Sequence, residues 1–205
     1  MKKNSPDDRR KQILKTAMDV FAEKGFRSTD VQEIADRCSV GKGTVYRHFE
    51  SKENLFWEVG RTIFVYLEQL LEEIQSLSMP ALQRVERFVL ASCEFLTEYP
   101  ARIAILAQIR SIPKQLMVES IRQYVQVRFT SPVCEMFREA IIAGEIAEGD
   151  PLNYHISVMN AVWGVILLYN ADEDSLTLVE RVRLTLHLLL HGMVCSREIK
   201  QEQGC

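Results

Sequence analysis

Residues 42–48, Lys-Gly-Thr-Val-Tyr-Arg-His, carry the side chains of this chain best suited to recognition chemistry. Lys42, Arg47 and His48 offer cationic or N–H donors, Thr44 and Tyr46 offer hydroxyls, and Gly43 leaves the backbone open to close approach. At helical spacing only Val45 asks to be buried. The remaining side chains then suit a helix lying against a phosphate backbone, with Lys42 and Arg47 able to reach base edges or adjacent phosphates.

A recognition face of this kind needs elements to hold it. Upstream, Thr29 is suited to cap a short helix with Gln32 as its capping-box partner, and Val31, Ile34, Ala35 and Cys38 fall on one apolar face. Residues 37–40 form the turn, and the second helix runs from about Gly41 to His48, giving a helix-turn-helix over about 30–49. A bracing helix opens at Ser5, Pro6 and Asp8, buries Ile13, Leu14, Ala17, Val20 and Phe21, and stops at Gly25. Downstream, Ser51 opens a longer helix with Lys52 at its phosphate-facing end, where the N-terminal dipole adds to the charge. Leu55, Ile63, Leu67, Leu70 and Ile74 carry that helix onward. The predicted DNA-contacting set is Thr29, Lys42, Gly43, Thr44, Tyr46, Arg47, His48 and Lys52.

Four segments, FAEKGF at 21–26, TDVQEIA at 29–35, VGKGTVYRHF at 40–49 and SKENLF at 51–56, resemble in order and spacing the DNA-binding domain of TetR-type (TetR/AcrR-like) transcriptional repressors. The resemblance spans roughly residues 9–60. It implies an all-helical homodimer released from DNA by a ligand. Three positions depart from the family pattern. Asp30 stands where Thr or Ser usually touches phosphate, and its carboxylate repels the backbone unless the helix N-terminus absorbs it as a cap. Ser39 replaces the usual turn Gly, which pushes a non-Gly residue toward left-handed geometry at about 1–2 kcal/mol. Gly41 replaces the usual Ser cap.

Composition sets the outer limits. At 205 residues, 47% hydrophobic and 26% charged, the chain is long enough for a small domain and a larger one with a sizeable core. The net charge of −3 conceals an asymmetry: residues 1–52 carry twelve Lys and Arg against eight Asp and Glu, and residues 53–205 carry thirteen against twenty. The basic part is therefore the part that would meet phosphate. Five scattered cysteines, Cys38, Cys93, Cys134, Cys195 and Cys205, show no C-x-x-C pair and suggest neither a disulfide framework nor a zinc knuckle. The polar start lacks a signal-peptide pattern, which makes the cytoplasm the expected compartment.

Further helices are predicted over about 80–98, 101–111, 113–143 with a kink at Pro132, 151–170 and 175–199, with no strand pattern between them. Residues 151–171 contain no Lys, Arg, Asp or Glu, and neither does 184–196. A transmembrane hairpin is disfavoured by Asn153, His155, Ser157, Asn160 and Asn170 and by the shortness of the second segment. Burial on both sides, inward against the same domain and outward against a second copy, accounts for both segments as a four-helix dimer interface.

The expected architecture is all-α: a three-helix helix-turn-helix domain over 1–54, then a larger helical effector-binding and dimerisation domain over 55–205. The expected function is transcriptional regulation through double-stranded operator DNA, without a cofactor, a membrane partner or catalysis. No nucleophile–base pair or phosphate-cradling loop has recognisable spacing, and Gly41-Lys42-Gly43-Thr44 lacks the P-loop frame. A mostly apolar effector is expected among Phe64, Phe88, Cys93, Phe95, Gln108, Met117, Tyr124, Phe137, Met159, Asn160 and Trp163. Two alternatives remain: a metal-responsive regulator using His187, His191 and Cys195, four residues apart along one helix face, and a helical interaction protein with a degenerate DNA module.

Overall fold

The computed structural model describes residues 6–112, 119–170 and 175–193. Among these the chain is helical throughout: α1 (Pro6–Ser28), α2 (Val31–Arg37), α3 (Lys42–Phe49), α4 (Lys52–Gln75), α5 (Ala81–Thr97), α6 (Ala101–Arg110), α7 (Glu119–Val125), α8 (Ser131–Ile142), α9 (Pro151–Leu168) and α10 (Leu178–Met193). The described residues divide into two compact units, one holding residues up to 67 together with 96–112, the other holding 68–95 and the chain from 119 onward.

In the first unit the predicted apolar stripes are the core. Ile13, Ala17, Val20 and Phe21 of α1, Val31, Ile34, Ala35 and Cys38 of the α2 region, and Leu55, Val59 and Ile63 of α4 are all buried. Phe21, Phe26 and Phe56 meet with ring centroids 5.1–6.1 Å apart. The regular run of α1 stops at Gly25, as expected: its φ of 77° and ψ of 158° are non-helical, and one short turn beyond it reaches Ser28. That conformation suits glycine because no Cβ meets the carbonyl. The kink disrupts the local ladder, and α6 supplies the missing partners. The Gln108 side chain donates to the Phe21 carbonyl at 2.9 Å and accepts from the Phe26 N–H at 2.8 Å. Tyr99 donates to Asp19 on the same helix.

In the second unit α9 packs between α8 and α10. Glu145 accepts from the N–H groups of Ala81 and Leu82 at 3.1 and 2.8 Å, satisfying two of the orphan donors at the start of α5. Asp150 caps α9 through the Leu152 N–H. The kink expected at Pro132 takes another form. Residues 126–130 make one π-helical turn, closed by the Ser131 N–H donating to the Gln126 carbonyl, and Pro132 sits in the first turn of α8 where its missing N–H costs no bond. Along α4, Leu71 is buried in place of the expected Leu70.

Helices α9 and α10 each present two apolar faces. Val158, Val162 and Ile166 on α9 and Val182, Leu186 and Leu190 on α10 point inward. Leu152, Ile156 and Leu167 on the first, and Leu184 and Leu188 on the second, lie roughly opposite and are exposed. The inward position of Val162 means that a charge placed there would attack the chain's own core. Among the described residues no helix is long and apolar enough to cross a membrane.

Candidate nucleic-acid interface

The turn between α2 and α3 is built from bonds local to it. Cys38, Ser39 and Val40 donate their N–H groups to Ile34, Asp36 and Ala35 at 3.1, 3.0 and 2.9 Å. Ser39 adopts φ 54°, so the left-handed position normally given to glycine is held here by a serine. Gly41 begins α3 without a side-chain cap. Val45 and Phe49 are buried, and Arg10 lies with its guanidinium 5.1 Å from the Phe49 ring. Tyr46 and Arg47 face solvent with Gly41 and Gly43, while Lys42, Thr44 and His48 are half-exposed. A Cβ at Gly43 would meet nothing within 4 Å, so internal packing does not require glycine there.

The cap of α2 is Asp30, not Thr29. Asp30 is extended at φ −94°, and its carboxylate accepts from the Gln32 N–H at 2.9 Å. Thr29 is 3% exposed and its hydroxyl donates to the Gly25 carbonyl at 2.8 Å, which ties α2 to the bend of α1 and leaves the hydroxyl buried. Gln32 is no capping-box partner either. Its amide donates to Asp36 at 2.8 Å. The Lys42 ammonium donates to the same Asp30 carboxylate at 3.0 Å. The Gln32 N–H, then the Lys42 ammonium, hold the Asp30 carboxyl below its ordinary range, and Asp30 in turn raises Lys42. On the outer face, Arg37 bridges Glu23 and Glu33, and Lys24 reaches Glu33 at 2.6 Å, so the solvated Glu33–Arg37 pair is part of a brace between α1 and α2.

Lys52 is less free than its position suggested. Its ammonium donates to the Thr29 and Arg27 carbonyls at 3.0 and 3.3 Å and lies 4.8 Å from the Phe26 ring centroid. It therefore closes the end of α1 while standing at the start of α4, where Ser51 accepts from the Asn54 N–H. Lys52→Ala is expected to lower stability by about 1–2 kcal/mol as well as weaken DNA binding. Thermal unfolding beside a binding titration separates the two effects, and an unchanged melting temperature would assign Lys52 to DNA alone. The helix after α3 is entered through Glu50, whose φ of 64° and bond to the Tyr46 carbonyl at 2.7 Å make the sharp exit. Neither that position nor Gln108 carries a signal in local sequence.

Residues 13–59 match the sequence profile of the bacterial regulatory proteins of the tetR family. The chain is 30% identical over 144 residues to the HTH-type transcriptional regulator YhgD of Bacillus subtilis (strain 168), an alignment covering 70% of this chain and 75% of that protein. The chain belongs to the tetR family. A tetR-family assignment makes it a DNA-binding transcriptional regulator, and on that ground the enzyme reading is set aside. It is also 30% identical over 102 residues, half of each chain, to the HTH-type transcriptional repressor KstR2 of Mycolicibacterium smegmatis. The fold agrees over almost the full length with a fatty acid metabolism regulator structure from Clostridium perfringens, at a TM-score of 0.76 and 22% identity, covering 90% of this chain and 99% of that one.

The predicted effector residues fall in both units of this tetR-family chain. Phe64 and Gln108 belong to the first; Phe88, Cys93, Phe95, Tyr124, Phe137, Met159, Asn160 and Trp163 belong to the second. Phe88, Cys93, Phe95 and Phe137 are buried, and Phe137 stacks on Tyr154. Burial pushes the Cys93 thiol up to about 11. Tyr124 donates to Glu68 at 2.8 Å, and Glu68 also pairs with Arg128 at 2.9 Å. Asn160 is exposed. Met117 lies outside the described residues, as do Cys195 and the side chain of His191, two of the three residues of the metal alternative; the third, His187, is exposed.

Proposed function

We propose that this protein is a repressor that binds a pseudo-palindromic operator as a homodimer and leaves it when a mostly apolar small molecule occupies the larger domain. The observation that carries the reading is the division of α3 into a buried side, Val45 and Phe49, and an outer side of Lys42, Gly43, Thr44, Tyr46, Arg47 and His48. A helix so divided is anchored by one side and offers donors to the major groove with the other. Residues 1–54 form the DNA-binding domain on this reading and 55–205 the regulatory one, in the cytoplasm. Tyr46 and Thr44 bond phosphate, Lys42 and Arg47 reach base edges or adjacent phosphates, and His48 and Lys52 add phosphate contacts.

Two further observations support the proposal. The exposed leucines of α9 and α10 offer apolar side chains to a second copy, and a dimer would set its two α3 helices about one DNA turn, roughly 34–36 Å, apart. Helix α4 runs from Lys52 beside the reading helix to Gln75 in the other unit, so a shift of α4 under an effector would change the spacing of the two reading helices. An effector releases DNA only by binding the DNA-incompetent arrangement more tightly than the competent one.

The competing view, a helical interaction protein with a degenerate DNA module, loses its motive. Ser39 holds the turn and Asp30 caps α2, so neither departure disturbs the local fold that presents α3. Selection of bound sequences from random duplex DNA tests the proposal. A recovered palindrome is the expected result, and a pool that stays unselected after repeated rounds would favour the interaction protein.

A further inference from the structure

Lys42, in the first turn of α3, reaches Asp30, the cap of α2, at the solvent surface, with its ammonium 3.0 Å from the Asp30 carboxylate. The carboxylate has a second duty as the cap of α2. That duty does not require a charge, since a neutral Asn or Ser accepts from the same N–H equally well. Most of the capping therefore survives loss of the negative charge, and that charge stands beside one of the cations best placed to meet DNA.

Two consequences follow for a polyanion approaching this face. The ammonium is already neutralised as a pair, so it releases no counterion when it nears an arbitrary phosphate. The carboxylate, with 67% of its side chain exposed, repels phosphates that pass close to α2. Only a partner that outcompetes Asp30 for the ammonium, such as the two acceptors of a guanine edge in a fixed position, recovers what the pair withholds. We infer that Asp30 is a specificity-determining residue, which holds Lys42 in reserve and suppresses sequence-independent binding so that Lys42 acts at the correct site. The inference deepens the proposed function and rests on the DNA-binding reading.

Asp30→Asn retains the cap and removes the charge, and Asp30→Ser is a second neutral cap should the first alter folding, which circular dichroism and thermal unfolding monitor. Binding is measured against the selected operator and against a random duplex of equal length over a range of salt. The expected result is a random-duplex affinity higher by roughly tenfold per protomer at 0.1 M salt, with the slope of log affinity against log salt steeper by about one unit per protomer. Operator affinity rises less, so the ratio between operator and random duplex falls. In a Lys42→Met background the same substitution should lose most of its effect on slope.

An equal rise on both duplexes would reduce Asp30 to general repulsion and overturn the inference, and so would unchanged binding. A fall in operator affinity alone would overturn it differently, by making the carboxylate itself a base reader. Failure of the wild-type protein to retain any duplex would overturn the DNA-binding reading and this inference with it, whereas the preceding outcomes leave that reading standing.

Discussion

If the proposed dimer forms through α9 and α10, Leu188→Lys is expected to convert it to a monomer while leaving each protomer folded. The side chain is 66% exposed on the outer face of α10, one turn beyond the exposed Leu184, so a lysine there costs a lone chain almost nothing. Pressed against a second copy, the same ammonium is an unpaired charge in an apolar interface, at a cost of several kcal/mol. A loss of about 4 kcal/mol weakens association roughly a thousandfold. Sedimentation at micromolar concentration reads the change directly. Operator affinity should fall with it, because two tethered half-site contacts become independent ones.

Val162→Lys supplies the contrast. Val162 is 4% exposed on the opposite face of α9, between Val158 and Ile166, so its lysine is buried within the chain's own unit. Cooperative unfolding should be lost or shifted down by many degrees, with no folded monomer to recover. A dimeric Leu188→Lys protein would remove this face from the interface, and a folded Val162→Lys protein would show that α9 packs differently.

The contrast also locates what was legible in the sequence. A charge-free stretch such as 151–171 announces burial on more than one side, but a run of apolar residues does not say which of Val162 and Leu167 faces home. Their five-residue offset puts them on different faces of a helix, and the packing of α9 against α8 and α10 decides which face is inward. The helix-turn-helix was easier to read because its signals are local: Val31, Ile34, Ala35 and Cys38 follow one periodicity, and the anomalous Ser39 occupies the left-handed position its place in the turn required. At the start of α2 two adjacent residues, Thr29 and Asp30, could serve as the cap. Either side chain suits a cap, and the bend at Gly25 decided between them by giving the Thr29 hydroxyl a carbonyl to bond.

Gln108 lay beyond any local signal, since its partners are more than eighty residues away, and it gives the second large effect. Gln108→Leu keeps the volume of the side chain and removes both of its bonds to the bend of α1. The Phe26 N–H and the Phe21 carbonyl are then left without these partners in a partly buried place, which should cost about 2–4 kcal/mol for the two groups together. Because Phe26 precedes Thr29, and Thr29 bonds back to Gly25, the loosened segment is the one that leads into α2. The variant should therefore melt several degrees lower and bind operator more weakly with no effector present.

That last condition separates two roles for the same residue. A glutamine lining an effector site would, when replaced by leucine, change effector affinity and leave effector-free operator binding as it was. A glutamine holding the bend lowers effector-free operator binding in step with stability. Gln108→Glu sharpens the distinction, since its carboxylate still accepts from Phe26 but sets negative charge against the Phe21 carbonyl, and it should restore little of what leucine loses. If both variants melt and bind operator like the wild type, the bend is held by Gly25 and the packing of Phe21, Phe26 and Phe56 alone, and Gln108 returns to the effector side of the molecule.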